Sequence, residues 1–287
     1  MRVGSFFMLL SFINVQLFAL IIGWLFVIMQ VTVTENPADI GNSASFFITI
    51  LIAAAAILLV LKYYKGKMLF LLLELALIFI SFSIFFGLFP IGDWALSGGA
   101  IAVILRLLFP AYRNIYLLFA SGIVGALLGA SLDIVPAAIL AMLLAVYDVI
   151  AVFYTKHMVT LAKELHEREA GFSITFPMDF KAQVVVPKDQ TEKMKKLYKV
   201  VRKEAVELGT GDLAIPAMLV ASALHVPGFM VPTFWHAMFT MLGATFGMTL
   251  LFYFIEKKKG YWPALPPIVF FALLALVLYH FGPIKLG

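Results

Sequence analysis

Apolar residues recur along the chain in long runs that charged residues, prolines and glycines interrupt. Runs of about 20 apolar residues are long enough to cross a bilayer as a helix. The pattern predicts an all-α polytopic membrane protein with nine transmembrane helices, the fourth interrupted at Gly98-Gly99. The expected spans are roughly 5–31, 44–61, 68–90, 94–109, 114–132, 134–154, 210–225, 231–255 and 264–282.

Composition agrees with this class of protein. The 287 residues are 63% hydrophobic and 13% charged, whereas roughly a quarter of the residues in a soluble domain are charged. A water-soluble globule cannot bury that much apolar surface. The chain has no cysteine, which excludes disulfides, thiolate metal ligands and a cysteine nucleophile.

The positive charges predict the orientation of the helices. Twenty of the 21 lysines and arginines fall at the N-terminus or in alternate connections, which places them on one side of a nine-span arrangement, and only Lys285 falls on the other. The positive-inside rule then puts the N-terminus in the cytoplasm and the C-terminus outside. The net charge of +5 therefore reflects topology, and nothing indicates binding to nucleic acid.

The spans divide the chain into three parts: helices 1–6 in 1–154, a large cytoplasmic loop in 155–208, and helices 7–9 in 209–287. Within the loop, Phe172–Phe176 and Ala182–Val186 have strand-like composition and could pair as a hairpin. The segment 189–208 has apolar residues at helical spacing, including Ala205, on a basic background. It is either a helix lying on the inner leaflet or a solvated linker.

Three acidic residues fall within spans, namely Glu74, Asp148 and Asp212. A charge at the bilayer centre costs about 2.5–3.5 kcal/mol on insertion scales, so each acid needs a reason. Asp148 lies six residues before Tyr154 and Asp212 five residues after Glu207. At about 1.5 Å per residue both are on the order of 9 Å deep from the same side, and we expect Asp148 and Asp212 to lie at one level.

Two carboxyl groups at one depth in a medium of low dielectric would share a proton. One could then take a proton from water while the other donates one to a carbonyl oxygen, which is peptide hydrolysis without a metal. Structural alternatives stand beside this interpretation. Asp212 could be a helix N-cap, and Asp148 could be an acid bonded to a neighbouring helix.

The ninth span begins with an unusual proline-rich segment, Tyr261–Pro267, of sequence YWPALPP. Three prolines in five residues favour an extended backbone, which near the two acids could hold an extended peptide. The alternative is proline at a helix N-terminus together with a Trp anchor at the membrane interface. Gly209 and Gly211, which lie three residues and one residue before Asp212, would give a substrate backbone room to approach.

Other chemistries find less support. His166-Glu-Arg-Glu-Ala170 lacks the second histidine of a zinc-protease motif, so we expect no metal site and no cofactor. Ser121-Gly122 lies beside Gly125 and Gly129 and is better explained as small-residue helix packing than as a serine nucleophile. For Glu74, a buried pair with Arg106 is favoured over a proton-relay role.

Three motifs together resemble the signatures of the presenilin and signal peptide peptidase family of intramembrane aspartyl proteases. They are Tyr147-Asp148 in span six, Gly209-Thr-Gly-Asp212 at span seven and Pro263-Ala-Leu265 at span nine, in that order. The resemblance implies that Asp148 and Asp212 form the catalytic pair. It further implies support roles for Tyr147, Gly209, Thr210 and Gly211, and substrate docking by Pro263, Ala264 and Leu265.

The same resemblance suggests the biological setting. The predicted orientation is the presenilin sense, and the compact chain is most like a microbial, archaeal presenilin homologue. Thr210 stands where presenilins often have a bulky apolar residue, a difference that bears on substrate preference. The implied partners are single-span membrane-protein substrates in the bilayer of the cell membrane, with homo-oligomers left open. A channel or proton-coupled transporter that uses the acids as an ion path is the competing interpretation.

Overall fold

The computed structural model describes residues 3–63, 68–89, 94–155, 173–177, 205–225, 233–257 and 262–282. Within these ranges the chain forms nine apolar α-helices and two short strands. The helices are α1 (Val3–Ile28), α2 (Gly41–Tyr63), α3 (Met68–Gly87), α4 (Trp94–Leu108), α5 (Arg113–Ala130), α6 (Ile134–Val149), α7 (Thr210–Ser222), α8 (Phe234–Lys257) and α9 (Leu265–Phe281). The strands are β1 (Ser173–Pro177) and β2 (Ala205–Gly209).

Each predicted span coincides with one of these helices to within a few residues. Five stretches of the described chain, in α1, α3, α5, α6 and α8, are long and apolar enough to cross a membrane. The other apolar stretches, which are Gly41–Ile57 of α2 and the helices α4, α7 and α9, have 10–17 residues. The predicted interruption of the fourth span is wrong, since α4 continues through Gly98 and Gly99. A Cβ at Gly98 would collide with Phe86 of α3, so these glycines serve close packing between α3 and α4.

Three helices, α1, α5 and α7, pack side by side in the core of the molecule and run in the same direction. A Cβ at Gly125 of α5 would lie 2.6 Å from the Ala214 carbonyl oxygen of α7, and one at Gly23 of α1 would lie 2.8 Å from Ala221 Cβ. A Cβ added at Gly129 of α5 would likewise collide with Ala221 Cβ of α7. The predicted small-residue packing on α5 is confirmed, and it fixes the position of α7.

The two strands form an antiparallel pair directly before α7, with Ile174 opposite Leu208 and Ser173 opposite Gly209. Ile174 and Leu208 are both buried, and the pair packs against α1. Asn114 of α5 donates a hydrogen bond from Nδ2 to the Thr175 carbonyl oxygen over 2.9 Å. The sheet is therefore held against the same helices that hold α7.

These strands correct part of the expected loop structure. The first strand-like segment is confirmed as β1, but the strand paired with it here is Ala205–Gly209, and the expected partner at 182–186 lies outside the described residues. Neither of the two alternatives for 189–208, a surface helix or a solvated linker, holds for Ala205–Leu208, which lie in a strand, and the remainder lies outside the described residues. Pairing with β1 and burial of Leu208 override the helical periodicity of this stretch.

A buried ion cluster joins α3, α4 and α5. Glu74 is 4% exposed and accepts hydrogen bonds from Arg106 Nε and Arg113 Nε, both over 2.9 Å. The predicted pairing of Glu74 with Arg106 is confirmed, and Arg113 is a second partner that the sequence did not reveal. Because both carboxylate oxygens are engaged, the role of Glu74 in this structure is to join the three helices.

Candidate active site

Asp148 lies in the last turn of α6 and is 5% exposed. The helix continues into a single π-helical stretch, Ile150–Tyr154, a geometry that often accompanies functional sites. Asp148 Oδ2 accepts a hydrogen bond from the backbone N–H of Leu265 over 3.1 Å, and the backbone N–H of Ala264 also bonds to this carboxyl group. Asp148 is thus bound to the beginning of α9.

The proline-rich sequence explains why these two N–H groups point at Asp148. The first backbone N–H groups of a helix have no partner within the helix and carry the positive end of its dipole. Helix α9 begins at Leu265, with Ala264 as its N-cap. Because Pro266 and Pro267 have no N–H, the donors left at this end belong to Ala264 and Leu265, and both face the carboxyl group.

The expectation of an extended backbone is therefore wrong from Leu265 onward, where proline takes the first-turn positions that it tolerates in a helix. Trp262 and Pro263 precede the helix without regular structure. The Trp262 ring packs edge-on against Phe153 with a centroid separation of 6.1 Å and stacks on Phe254 at 6.5 Å. These contacts tie the segment before α9 to the ends of α6 and α8.

A close contact between α8 and α9 also places this segment. A Cβ at Gly247 of α8 would lie 2.5 Å from the Pro267 carbonyl oxygen. The two backbones therefore meet at the first turn of α9, and Pro263, Ala264 and Leu265 are all buried beside them. The predicted docking residues are thus held against Asp148 rather than projecting from the protein.

Asp212 lies in the first turn of α7, which follows β2 without an intervening loop. Gly209 is both the last residue of β2 and the N-cap of α7, so the predicted alternative of Asp212 as N-cap is wrong. Asp212 is instead the third helical residue, and its carboxyl group accepts a hydrogen bond from the Gly209 backbone N–H. This is the backward half of a capping box, which orients the side chain.

The two motif glycines have different surroundings. A Cβ at Gly209 would lie 3.2 Å from Asp212 Oδ2, whereas one at Gly211 would meet nothing within 4 Å. Gly211 is exposed, and Thr210 and Asp212 are half-buried. Gly209 therefore leaves room for the Asp212 carboxyl group, and Gly211 leaves open space on the accessible side of the site.

The structure brings the two predicted acids together. Helix α6 packs against α7, and α9 contacts both. The charge on Asp148 acts on the carboxyl group of Asp212, and Tyr147, which is half-buried, lies within electrostatic range of Asp148. A buried acid and a half-buried acid thus lie within electrostatic range of each other, and Gly211, next to Asp212, is exposed.

This arrangement is suited to general acid–base chemistry on a water molecule. Two carboxyl groups within electrostatic range in a low dielectric favour a single shared proton. In that state the ionised carboxylate can activate water, while the protonated carboxyl group donates its proton to a carbonyl oxygen. Among the described residues, no group of three or more histidine, aspartate or glutamate side chains could hold a metal ion.

Comparison with known proteins identifies the family. The family model for signal-peptide peptidase, presenilin aspartyl protease, matches residues 9–281. The chain belongs to this family of proteases. Its members are aspartyl proteases, and this presenilin-family chain is accordingly an intramembrane aspartyl protease with the polytopic fold of the family.

Solved structures of a presenilin family intramembrane aspartate protease, in two space groups, are similar to this chain. Both are 26% identical to it, over 94% of this chain and 96% of theirs, with TM-scores of 0.60 and 0.61. No curated protein matches the chain. The likeness extends over nearly the whole length, so the presenilin-family fold covers every element that carries the site.

The sequence predicted most of the residues of this site but not the backbone hydrogen bonds that position Asp148. Among the acids, Asp148 and Asp212 lie within electrostatic range of each other, while Glu74 is paired with Arg106 in its ion cluster. The backbone donors of Ala264 and Leu265 were missed because side-chain patterns do not show where a helix N-terminus points. The two prolines after Leu265 were the available signal, since they mark a first helical turn.

Proposed function

We propose that this protease hydrolyses peptide bonds within transmembrane segments of other membrane proteins, with Asp148 and Asp212 as its catalytic pair. The observation that carries the proposal is the meeting of the two acids, from α6 and α7, within electrostatic range. One carboxyl group activates water and the other protonates the scissile carbonyl oxygen, so the reaction needs no cofactor. The family assignment supports a protease over an ion channel or transporter.

The neighbouring motif residues have supporting roles in this mechanism. Gly209 leaves space for the Asp212 carboxyl group, and the exposed Gly211 with the half-buried Thr210 borders the accessible side, where a substrate backbone approaches. Tyr147 borders Asp148 on α6. Pro263, Ala264 and Leu265 dock the substrate and, through the Leu265 N–H, orient Asp148.

A transmembrane helix must unwind locally before its peptide bond can reach two carboxyl groups, and the unwound strand then has unpaired backbone groups. Strand β1 begins beside the beginning of α7, with Ser173 opposite Gly209, and is paired on one edge with β2. Its other edge offers main-chain pairing to an extended substrate segment. A version without residues 172–186 that cleaved normally would contradict this part of the proposal.

The topology follows from the distribution of charge. The chain spans the cell membrane nine times, with the N-terminus and the loop at 155–208 in the cytoplasm, and its substrates are single-span proteins. The absence of cysteine permits a direct test with single cysteines at exposed positions on opposite sides, Thr155→Cys after α6 and Glu35→Cys after α1. A membrane-impermeant maleimide applied to cells should label Glu35→Cys alone, and the reverse pattern would invert the topology.

The activity is tested in liposomes that contain the purified protein and a single-span substrate. Mass spectrometry of the products should locate the cleaved bond inside the transmembrane segment. Cleavage only in flanking soluble sequence would contradict the proposal. Ion flux measured in the same liposomes without proteolysis would favour the transporter instead.

A further inference from the structure

The ion cluster of Glu74, Arg106 and Arg113 carries more positive than negative charge. Two guanidinium groups meet one carboxylate, which leaves one positive charge in excess. Glu74 and Arg106 are both buried, and their charges compensate each other. Arg113 is the cation left over, in surroundings of low dielectric where a charge without a counter-charge is costly.

The hydrogen bonding of Arg113 shows the same excess. Its Nε donates to Glu74 Oε2 over 2.9 Å, while its Nη2 is buried without a hydrogen-bond partner among the described residues. Arg106 differs, because it meets Glu74 through both Nε and Nη2. The side chain of Arg113 is 24% exposed, so an acceptor outside the protein can reach it and use the donors that Glu74 leaves free.

The cluster lies at the end of the bundle where α3 begins, α4 ends and α5 begins. Arg113 is the first residue of α5, and Arg106 lies two residues before the end of α4. Helix α5 has 18 residues, so it is about 27 Å long and nearly matches a hydrocarbon core of about 30 Å. Arg113 therefore lies at the boundary between acyl chains and lipid phosphates. In the proposed topology this boundary is the cytoplasmic one.

The residues directly before Arg113 in the chain expose apolar surface. Leu108, Phe109 and Tyr112, in the connection from α4 to α5, are each at least half exposed, and the rings of Phe109 and Tyr112 lie 6.4 Å apart between centroids. At the edge of a bilayer such side chains contact acyl chains, and tyrosine is typical of the headgroup level. A cation with free donors thus adjoins a surface suited to lipid tails.

We propose that this cluster binds the phosphate group of an anionic phospholipid of the cytoplasmic leaflet, with Arg113 as the main donor. The phosphate oxygens accept hydrogen bonds from the Nη groups of Arg113, and the negative charge of the lipid balances the excess cation. Arginine suits this role because its planar fork matches the geometry of phosphate. The bilayer itself supplies this anion at this depth, and the acyl chains cover Leu108 and Phe109.

The excess charge selects the kind of headgroup. A phosphatidylcholine headgroup carries its own cation and cannot neutralise the cluster, and free inorganic phosphate has no acyl chains to cover the apolar surface. The site is also separate from the acid pair, since Asp148 and Asp212 lie on α6 and α7 and the cluster lies on α3, α4 and α5. Lipid binding and the protease mechanism can therefore fail independently.

Thermal unfolding of the purified protein in a non-ionic detergent, with one additive at a time, tests the site. Phosphatidylglycerol should raise the thermal midpoint, and phosphatidylcholine and inorganic phosphate should change it little. Arg113→Gln should weaken the apparent affinity for phosphatidylglycerol about tenfold, which corresponds to about 1.4 kcal/mol. Lys257→Gln, at the exposed lysine that ends α8, is the matched control and should keep the affinity. Equal effects of the three additives, or equal losses in the two variants, would overturn the proposal.

Glu74→Gln separates lipid binding from folding, because its two expected effects have opposite signs. Without lipid its thermal midpoint should fall, since two cations are then left without the carboxylate. Its affinity for phosphatidylglycerol should nevertheless rise about fivefold, the factor for one further unit of charge near the membrane surface. Arg113→Lys keeps the charge without the planar fork and should bind between wild type and Arg113→Gln. An affinity of cooperatively unfolding Glu74→Gln no higher than that of wild type would overturn the proposal.

Discussion

The backbone N–H of Leu265 donates a hydrogen bond to Asp148 Oδ2 over 3.1 Å, although 117 positions separate the two residues. The contact joins the N-terminus of α9 to the last turn of α6. It makes the Pro263–Leu265 segment a positioning element for Asp148, in addition to the substrate docking that we propose for it.

Removal of the Leu265 N–H should impair catalysis, while truncation of its side chain should mainly impair substrate binding. A hydrogen bond to a charged group contributes about 1.5–3 kcal/mol, so Leu265→Pro should lower kcat about 10- to 100-fold. Leu265→Ala keeps the N–H and is the matched control, and its effect should fall on KM. Equal losses of kcat in both variants, from steady-state cleavage kinetics, would refute the positioning role.

The two motif glycines should respond differently to an added methyl group. In Gly209→Ala the new Cβ would lie 3.2 Å from Asp212 Oδ2, closer than ordinary packing allows, so the carboxyl group must move. We expect kcat to fall about tenfold or more, as displacement of a catalytic group by a fraction of an ångström costs heavily. Gly211→Ala has open space and should retain kcat, with any effect confined to KM. Similar kcat values for the two variants would contradict this account.

Glu74 should matter for stability and not for catalysis. Glu74→Gln leaves the buried Arg106 and the partly exposed Arg113 without their carboxylate. Loss of one partner from a buried ion pair costs about 3–5 kcal/mol, so the thermal midpoint in detergent should fall clearly. The double variant Glu74→Gln/Arg106→Met, which also removes the buried cation, should recover part of the loss. A lower kcat at an unchanged midpoint would instead indicate a proton-relay role.

The anchor between α5 and β1 should influence use of the substrate more than the acid pair itself. Asn114→Leu removes the hydrogen bond to the Thr175 carbonyl oxygen and loosens β1 at its pairing with β2. We predict a severalfold lower kcat/KM for transmembrane substrates, about what one net hydrogen bond of 0.5–1.5 kcal/mol supplies. Thr175→Val keeps the backbone acceptor and should behave as wild type. A loss in Thr175→Val equal to that in Asn114→Leu would assign the effect to side-chain packing.

The helices and the meeting of the acids could be predicted because both depend on local features of the sequence. Apolar runs report helix length, and the rise per residue places Asp148 and Asp212 at one depth once the lysines indicate the sides. The pairing of Glu74 with Arg106 followed from the same depth argument. Such inferences need only the spacing of residues along a span.

The features that were missed depend on contacts between distant parts of the chain. Ala205–Leu208 continues a helical pattern, and only pairing with β1 and burial of Leu208 make it a strand. Proline discourages helices in general, yet it fits a first turn, so the start of α9 at Leu265 depends on where the chain enters the bundle. Arg113 joins Glu74 because α5 packs against α3, a neighbour relation that no local pattern specifies.

Cleavage of a single-span substrate by Asp148→Asn and by Asp212→Asn, each compared with wild type in liposomes, tests the central claim most directly. Asparagine keeps the size of each side chain, but its neutral amide neither takes up nor releases a proton at physiological pH. The paired-acid account predicts that each variant alone abolishes cleavage within the transmembrane segment, while its thermal midpoint shows that it is folded. Substantial cleavage by either folded variant would contradict the account.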